Sequence, residues 1–82
     1  MCHEKDFVFL KAFLGILSYK NIIINYYNIT YRTEKDIPQN LIDGMVVSDF
    51  YVDKDTIHIN AIDLMTYLFV RKERWKWSLL TL

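Results

Sequence analysis

The fold is decided by the stretch MVVSDFYVDKDTIHIN, residues 45–60. Its two ends, Met45–Val52 and Thr56–Asn60, are rich in β-branched and aromatic residues, which favour strands. Between them stands Asp-Lys-Asp, and Asp favours tight turns because its side chain bonds to the nearby backbone. The stretch therefore predicts a β-hairpin at about residues 45–60.

Downstream of the hairpin, Ile62, Met65 and Phe69 recur at helical spacing. Asn60 is placed to accept hydrogen bonds from the free amides of a first helical turn. These features predict a helix from about residue 61. The end of the chain leaves two interpretations open, because residues 75–79 alternate apolar and polar side chains as a strand does, yet no Gly or Pro ends the helix after Val70. We favour a C-terminal edge strand over a helix that runs to about residue 79.

Upstream of the hairpin, apolar side chains recur every three or four residues from about Glu4 to Tyr19, which predicts an amphipathic helix. The next run, Ile22–Tyr31, is almost wholly β-branched or aromatic and predicts a strand of about ten residues. One long helix over residues 4–31 is the competing interpretation. Residues 32–44 form a polar connection that holds the only Pro of the chain, Pro38.

These elements predict a single α+β domain over residues 1–82, with an N-terminal helix, a small antiparallel sheet and a second helix. The chain is 52% hydrophobic and 16% aromatic, which is rich for its length. A single cysteine, Cys2, excludes an internal disulfide. Small domains often depend on association for their stability, and we therefore expect a homodimer.

Net charge is zero, but the charges are unevenly distributed along the chain. Residues 34–63 carry seven acidic side chains against Lys35 and Lys54, whereas residues 71–76 carry four basic side chains against Glu73. The chain thus has an acidic middle and a basic C-terminal segment. These two segments supply the candidate binding residues.

The acidic candidate lies in the hairpin. Asp49, Tyr51 and Asp53 alternate along the first strand and should project from one face, with Asp55 continuing the row. Carboxylates spaced in this way can imitate a line of phosphates and occupy the cationic groove of a partner. The alternative is an acidic hairpin that is merely solvated.

The basic candidate combines cationic and aromatic residues: Arg71, Lys72, Arg74, Trp75, Lys76 and Trp77. Such a mixture is typical of surfaces that bind phosphate and stack on the bases of single-stranded nucleic acid. It is equally typical of protein interfaces, where Trp and Arg are enriched. Ordinary packing of cations against aromatic rings also accounts for it.

No constellation of residues predicts catalysis or a metal site. Cys2, His3, Glu4 and His58 lack the paired spacing of zinc ligands, and no Gly-rich phosphate loop is present. We therefore predict a protein that is not an enzyme and has no cofactor. The Phe7–Tyr19 stretch is too short to cross a bilayer, so we expect a cytoplasmic protein without a membrane partner.

The predicted function is a protein-binding module, a small inhibitor or adaptor of a larger protein that uses the acidic hairpin and aromatic surface. A nucleic-acid-binding regulator that uses residues 71–77 is the alternative. Residues with AT-rich codons (Ile, Asn, Lys, Tyr, Phe) number 33, against 8 of Gly, Ala, Arg and Pro together. This usage suggests an AT-rich genome, and with it a phage or viral accessory protein of the anti-defence kind.

Overall fold

The structure is a computed structural model that describes the backbone of residues 7–80 and the side chains of residues 7–72. Within the described residues, three helices and four strands follow one another along the chain. They are α1 (Leu10–Gly15), β1 (Asn21–Tyr26), β2 (Ile29–Tyr31), α2 (Gln39–Ile42), β3 (Met45–Asp53), β4 (Thr56–Asp63) and α3 (Leu64–Leu80), with a 3-10 turn at Glu34–Asp36. The predicted α+β class and the predicted hairpin, formed by β3 and β4, are both confirmed.

The four strands form one sheet in the order β2-β1-β4-β3. Both hairpins are antiparallel, but β1 and β4 pair in parallel in the middle, so the sheet is mixed and not wholly antiparallel as predicted. The reason is the connection over residues 32–44. It is long enough to carry the chain from the end of β2 back to the end of the sheet at which β2 began. As a result β3 runs parallel to β2, and β4 runs parallel to β1.

The core lies on one face of the sheet, which we call the inner face. Ile24 of β1 and Ile57, Ile59 and Ala61 of β4 point to this side and are buried. Leu10 of α1 covers them, and Ile37, Ile42 and Met45 complete the cluster. The period-two alternation of β4 places these apolar side chains together, because every second residue of a strand faces the same way.

The N-terminal helix is shorter than predicted. Over residues 7–9 the chain is extended instead: Phe9 bridges Val46 in antiparallel fashion, and the Val47 amide donates to the Val8 carbonyl at 2.9 Å. Pairing with the edge of β3 satisfies backbone groups that a helix would otherwise satisfy, and it overrides the local helical periodicity. Residues 4–6 of the predicted helix lie outside the described part of the chain.

The predicted ten-residue strand is a strand region, but it folds into the β1–β2 hairpin. The chain turns at Tyr27, whose φ of 57° is in the left-handed region that non-glycine residues seldom adopt. A hydrogen bond of the Tyr27 side chain stabilises this conformation. The Tyr27 hydroxyl donates to the carboxylate of Asp63, thirty-six positions further along the chain.

The second long helix starts later than predicted and continues further. β4 remains paired to Asp63, so Asn60 lies in the middle of the sheet and is not the helix cap. Asp63 is the cap: its Oδ2 accepts from the Thr66 amide at 3.0 Å, and its Oδ1 accepts from the Thr66 hydroxyl at 2.8 Å. The favoured C-terminal edge strand was wrong, because α3 runs to Leu80. Nothing after Val70 breaks the helix, and Leu, Arg, Lys and Glu all propagate it well.

Candidate functional site

The face of the sheet opposite the core, which we call the outer face, is largely polar. The register also places Ile62 and the fully buried Val46 on this side, where β4 leads into α3. The remaining outward side chains, which alternate along each strand, are not buried. They are Asn21, Ile23, Asn25, Thr30, Asp49, Tyr51, Asp53, Thr56, His58 and Asn60. This face therefore offers a flat surface supported by a complete hydrophobic core beneath it.

A row of hydrogen bonds crosses the outer face from edge to edge, with one side chain from each strand. Asn60 Nδ2 donates to Asp49 at 2.6 Å, and Asn25 Nδ2 donates to Asn60 Oδ1 at 3.4 Å. The Thr30 hydroxyl then donates to Asn25 Oδ1 at 2.9 Å. We call these four residues the polar row. Because each amide both donates and accepts, the Asp49 carboxylate is held in a defined orientation.

Beside the polar row, Tyr51 and His58 form an aromatic platform. They are direct partners across β3 and β4, and their rings stack with centroids 4.5 Å apart and planes 3° from parallel. Tyr51 remains 56% exposed. A rigid tyrosine with one free side provides a large contact area at little cost in conformational entropy.

The predicted acidic residues meet on this face as their alternation indicated. Asp49, Tyr51 and Asp53 project from the outer face of β3, roughly 7 Å apart along the strand. Asp55 lies just beyond, in the turn, where its carboxylate accepts from the Thr56 hydroxyl at 3.4 Å. Lys54, the other residue of the turn, has a φ of 59°. The four predicted residues therefore form one exposed row, which we call the acidic strip.

The charge of the acidic strip is not neutralised within the described residues. The ion pair found there joins Lys11 to Asp43, at 3.5 Å, and involves none of the strip. No lysine or arginine belongs to the outer face. Lys54 lies in the turn between Asp53 and Asp55, so the strip has three carboxylates against one ammonium group. It therefore presents a net negative charge, which attracts a cationic surface and disfavours an anionic one.

His58 and Asn60 are site residues that the sequence interpretation missed. Both lie on the outer face because they alternate with the buried Ile57 and Ile59. That alternation was visible in the sequence, but their pairing with Tyr51 and Asp49 required the register of the hairpin. The register contains an irregularity between Val47 and Asp49, where Ser48 is an extra residue.

The basic candidate is not brought to the acidic strip by any described contact. Its residues Arg71, Lys72, Arg74, Trp75, Lys76 and Trp77 all fall within α3. Arg71 is half-buried and Lys72 is exposed. The side chains of residues 73–80 lie outside the described part of the chain, as do Cys2, His3 and Glu4.

The remaining features of the described residues do not form a metal site or a membrane-spanning helix. Within the described residues, no three His, Cys, Asp or Glu side chains are grouped so that they could hold a metal ion. Of the helices described, none combines the length and the apolar character needed to cross a membrane. One pocket of about 280 Å³ is lined by Leu14, Lys20, Ile22, Arg32, Thr33 and Glu34, and it contains no residue of the acidic strip.

Comparison with known proteins adds no relative: no family model, no curated protein and no solved structure matches this chain.

Proposed function

We propose that this protein is a non-enzymatic protein-binding module, a small inhibitor or adaptor that docks on a larger protein through its acidic strip. The observation that carries the proposal is the exposed outer face of β3. There, Asp49 and Asp53 flank Tyr51, and the described ion pair involves neither carboxylate. Paired carboxylates around an aromatic contact suit a basic groove on a partner, where complementary charge speeds association and rejects other surfaces.

The preorganisation of the face supports the proposal. Asn60 orients Asp49 through a 2.6 Å hydrogen bond, and His58 holds the Tyr51 ring by stacking. Side chains that are already ordered lose less entropy on binding, so more of the contact energy becomes affinity. A merely solvated hairpin would not require such supports at Asp49 and Tyr51.

The proposal is tested by charge reversal with a matched control. The test variant is Asp49→Lys with Asp53→Lys. The control is Glu34→Lys with Asp36→Lys, which makes the same change of charge at exposed positions of the 3-10 turn. Tagged proteins are used to capture partners from host lysate, with and without nuclease, and bound proteins are quantified by mass spectrometry.

We expect a protein captured in stoichiometric amount that survives nuclease, remains with the control and falls at least about tenfold with the test variant. Equal capture by the test variant and the wild type would contradict the proposal. Capture that nuclease abolishes would instead support the nucleic-acid interpretation of residues 71–77.

We also propose that the protein is a homodimer joined through α3. Met65, Leu68 and Phe69 recur at helical spacing and are 76%, 44% and 63% exposed. Side chains three and four positions apart share one face of a helix, so the three form an apolar strip. A second copy would remove this strip from water.

Light scattering over a range of concentrations measures the association. We expect a dimer for the wild type, a monomer for Phe69→Lys, and a dimer for the control Ile16→Lys, which lies outside α3 and is 78% exposed. A wild-type protein that stays monomeric at high concentration would refute the dimer.

A further inference from the structure

The outer edge of β3 is open along half of its length. β3 is the last strand of the sheet, with β4 paired along one edge and the other edge free of any neighbouring strand of the sheet. Among the described residues, only Val8 and Phe9 pair with the backbone of this second edge, and they pair only with Val46 and Val47. The extra residue Ser48 then interrupts the register. From Asp49 to Asp53, every second N–H and C=O group therefore points away from β4 without a described partner strand.

The side chains beside this edge differ sharply on the two faces of the sheet. Asp49, Tyr51 and Asp53 lie on the outer face. Phe50 and Val52 lie on the inner face, where the short helix α1 covers them only in part, and are 51% and 43% exposed. The Phe50 ring is held by Phe13, with centroids 5.2 Å apart. A strand added here would meet acidic groups on one face and apolar groups on the other.

A second copy of this chain is a poor occupant of the edge. Antiparallel pairing of two β3 strands about Tyr51 is the register that uses all five residues. It would set Asp49 of each copy opposite Asp53 of the other, on the same face. Like charges directly opposite each other are destabilising, and charged side chains on edge strands commonly prevent such pairing.

We propose that the Asp49–Asp53 edge accepts an extended segment of the partner protein as a fifth strand. The segment alternates Lys or Arg, which face Asp49 and Asp53, with apolar residues, which face Phe50 and Val52. Backbone hydrogen bonds supply affinity in this mode of recognition, and the alternating side chains supply specificity. This inference rests on the proposed function and specifies its partner.

The test uses the full chain and synthetic seven-residue peptides that alternate Lys and Val. One control peptide alternates Glu and Val, and a second keeps the Lys and Val side chains but carries N-methyl groups on alternate backbone amides. Affinity is measured by calorimetry, and hydrogen exchange locates the amides that each peptide protects.

We expect the Lys-Val peptide to bind and to protect amides within residues 49–53, and the Glu-Val peptide not to bind. The variant Asp49→Asn with Asp53→Asn should bind the Lys-Val peptide roughly tenfold more weakly, because two cross-strand charge pairs are lost. The control Glu34→Gln with Asp36→Asn should leave the affinity unchanged.

Three results would overturn the inference. The first is that the Lys-Val peptide fails to bind or protects other residues. The second is that the amides of residues 49–53 exchange slowly before any peptide is added, which means that the edge is already filled. The third is that the N-methylated peptide binds equally well. In the last case the side chains suffice without strand addition, and the proposed function survives while the edge inference fails. If charge reversal leaves partner capture intact, the proposed function itself fails.

Discussion

Replacing Ile59 with Ala should destabilise the protein by about 3 kcal/mol, a large part of the total stability of a domain of this size. Ile59 is fully buried in β4 and lies between β1 and β3, since it pairs with Ile24 on one side and Phe50 on the other. Truncation removes apolar contact on both sides and leaves a cavity that the rigid sheet cannot close. Urea denaturation followed by circular dichroism measures the loss.

Two further variants provide reference values for the loss of unfolding free energy. Ile59→Val removes one methylene group and should cost about 1 kcal/mol. Val52→Ala, on the same face but 43% exposed, should cost less than about 1 kcal/mol. Equal effects of Ile59→Ala and Val52→Ala would show that the core is not centred on β4.

Replacing Asp63 with Ala should destabilise the protein by about 1 to 2 kcal/mol, the second-largest effect that we expect. The carboxylate accepts from the Tyr27 hydroxyl, from the Thr66 hydroxyl and from the Thr66 amide. It thus caps α3 and joins the start of that helix to the β1–β2 turn. Asp63→Asn keeps an acceptor oxygen for the amide and should cost less.

The same contacts predict how stability depends on pH. The hydrogen bond from Tyr27, followed by those from Thr66, lowers the pKa of Asp63 below its ordinary value of 3.8. The Asp63 carboxyl group binds its proton less tightly in the folded protein than in the unfolded chain. The ionised carboxylate therefore stabilises the fold fully at pH values above the ordinary pKa. This stabilisation is lost as the pH falls through the lower pKa of the folded state.

Thermal unfolding between pH 2 and pH 6 checks this dependence. The wild type should lose more stability over the acidic part of the range than Asp63→Asn, which has no carboxyl group to titrate at this position. Parallel curves for the two proteins would show that Asp63 does not contribute to the acid sensitivity.

The fold positions the candidate site by using one strand pair for two purposes. On the inner face, Ile57 and Ile59 anchor β4 in the core. On the outer face, the alternate residues His58 and Asn60 hold Tyr51 and Asp49. Asp49 and Tyr51 are therefore supported by the strand that anchors the core. A core variant such as Ile59→Ala should be checked for folding before its binding is interpreted.

Short-range periodicity and turn chemistry were enough to predict several features of this fold from the amino-acid sequence. The β3–β4 hairpin follows from two β-rich runs around Asp-Lys-Asp, and the shared face of Asp49, Tyr51 and Asp53 follows from strict alternation. The β1–β2 region was correctly assigned to strand because its β-branched and aromatic content exceeds what a helix favours. In each case the physical cause lies within a few neighbouring residues.

Only the tertiary structure decided the features that depend on residues far apart in the chain. Parallel pairing of β1 with β4 brings Asn25 to Asn60 and completes the polar row, which no local pattern encodes. The pairing of Val8 and Phe9 with β3 replaces the first part of the predicted helix. Asp63, and not Asn60, caps α3 because β4 keeps its ladder partners for three more residues. Local propensities differ by fractions of a kcal/mol, so long-range backbone pairing and burial outweigh them.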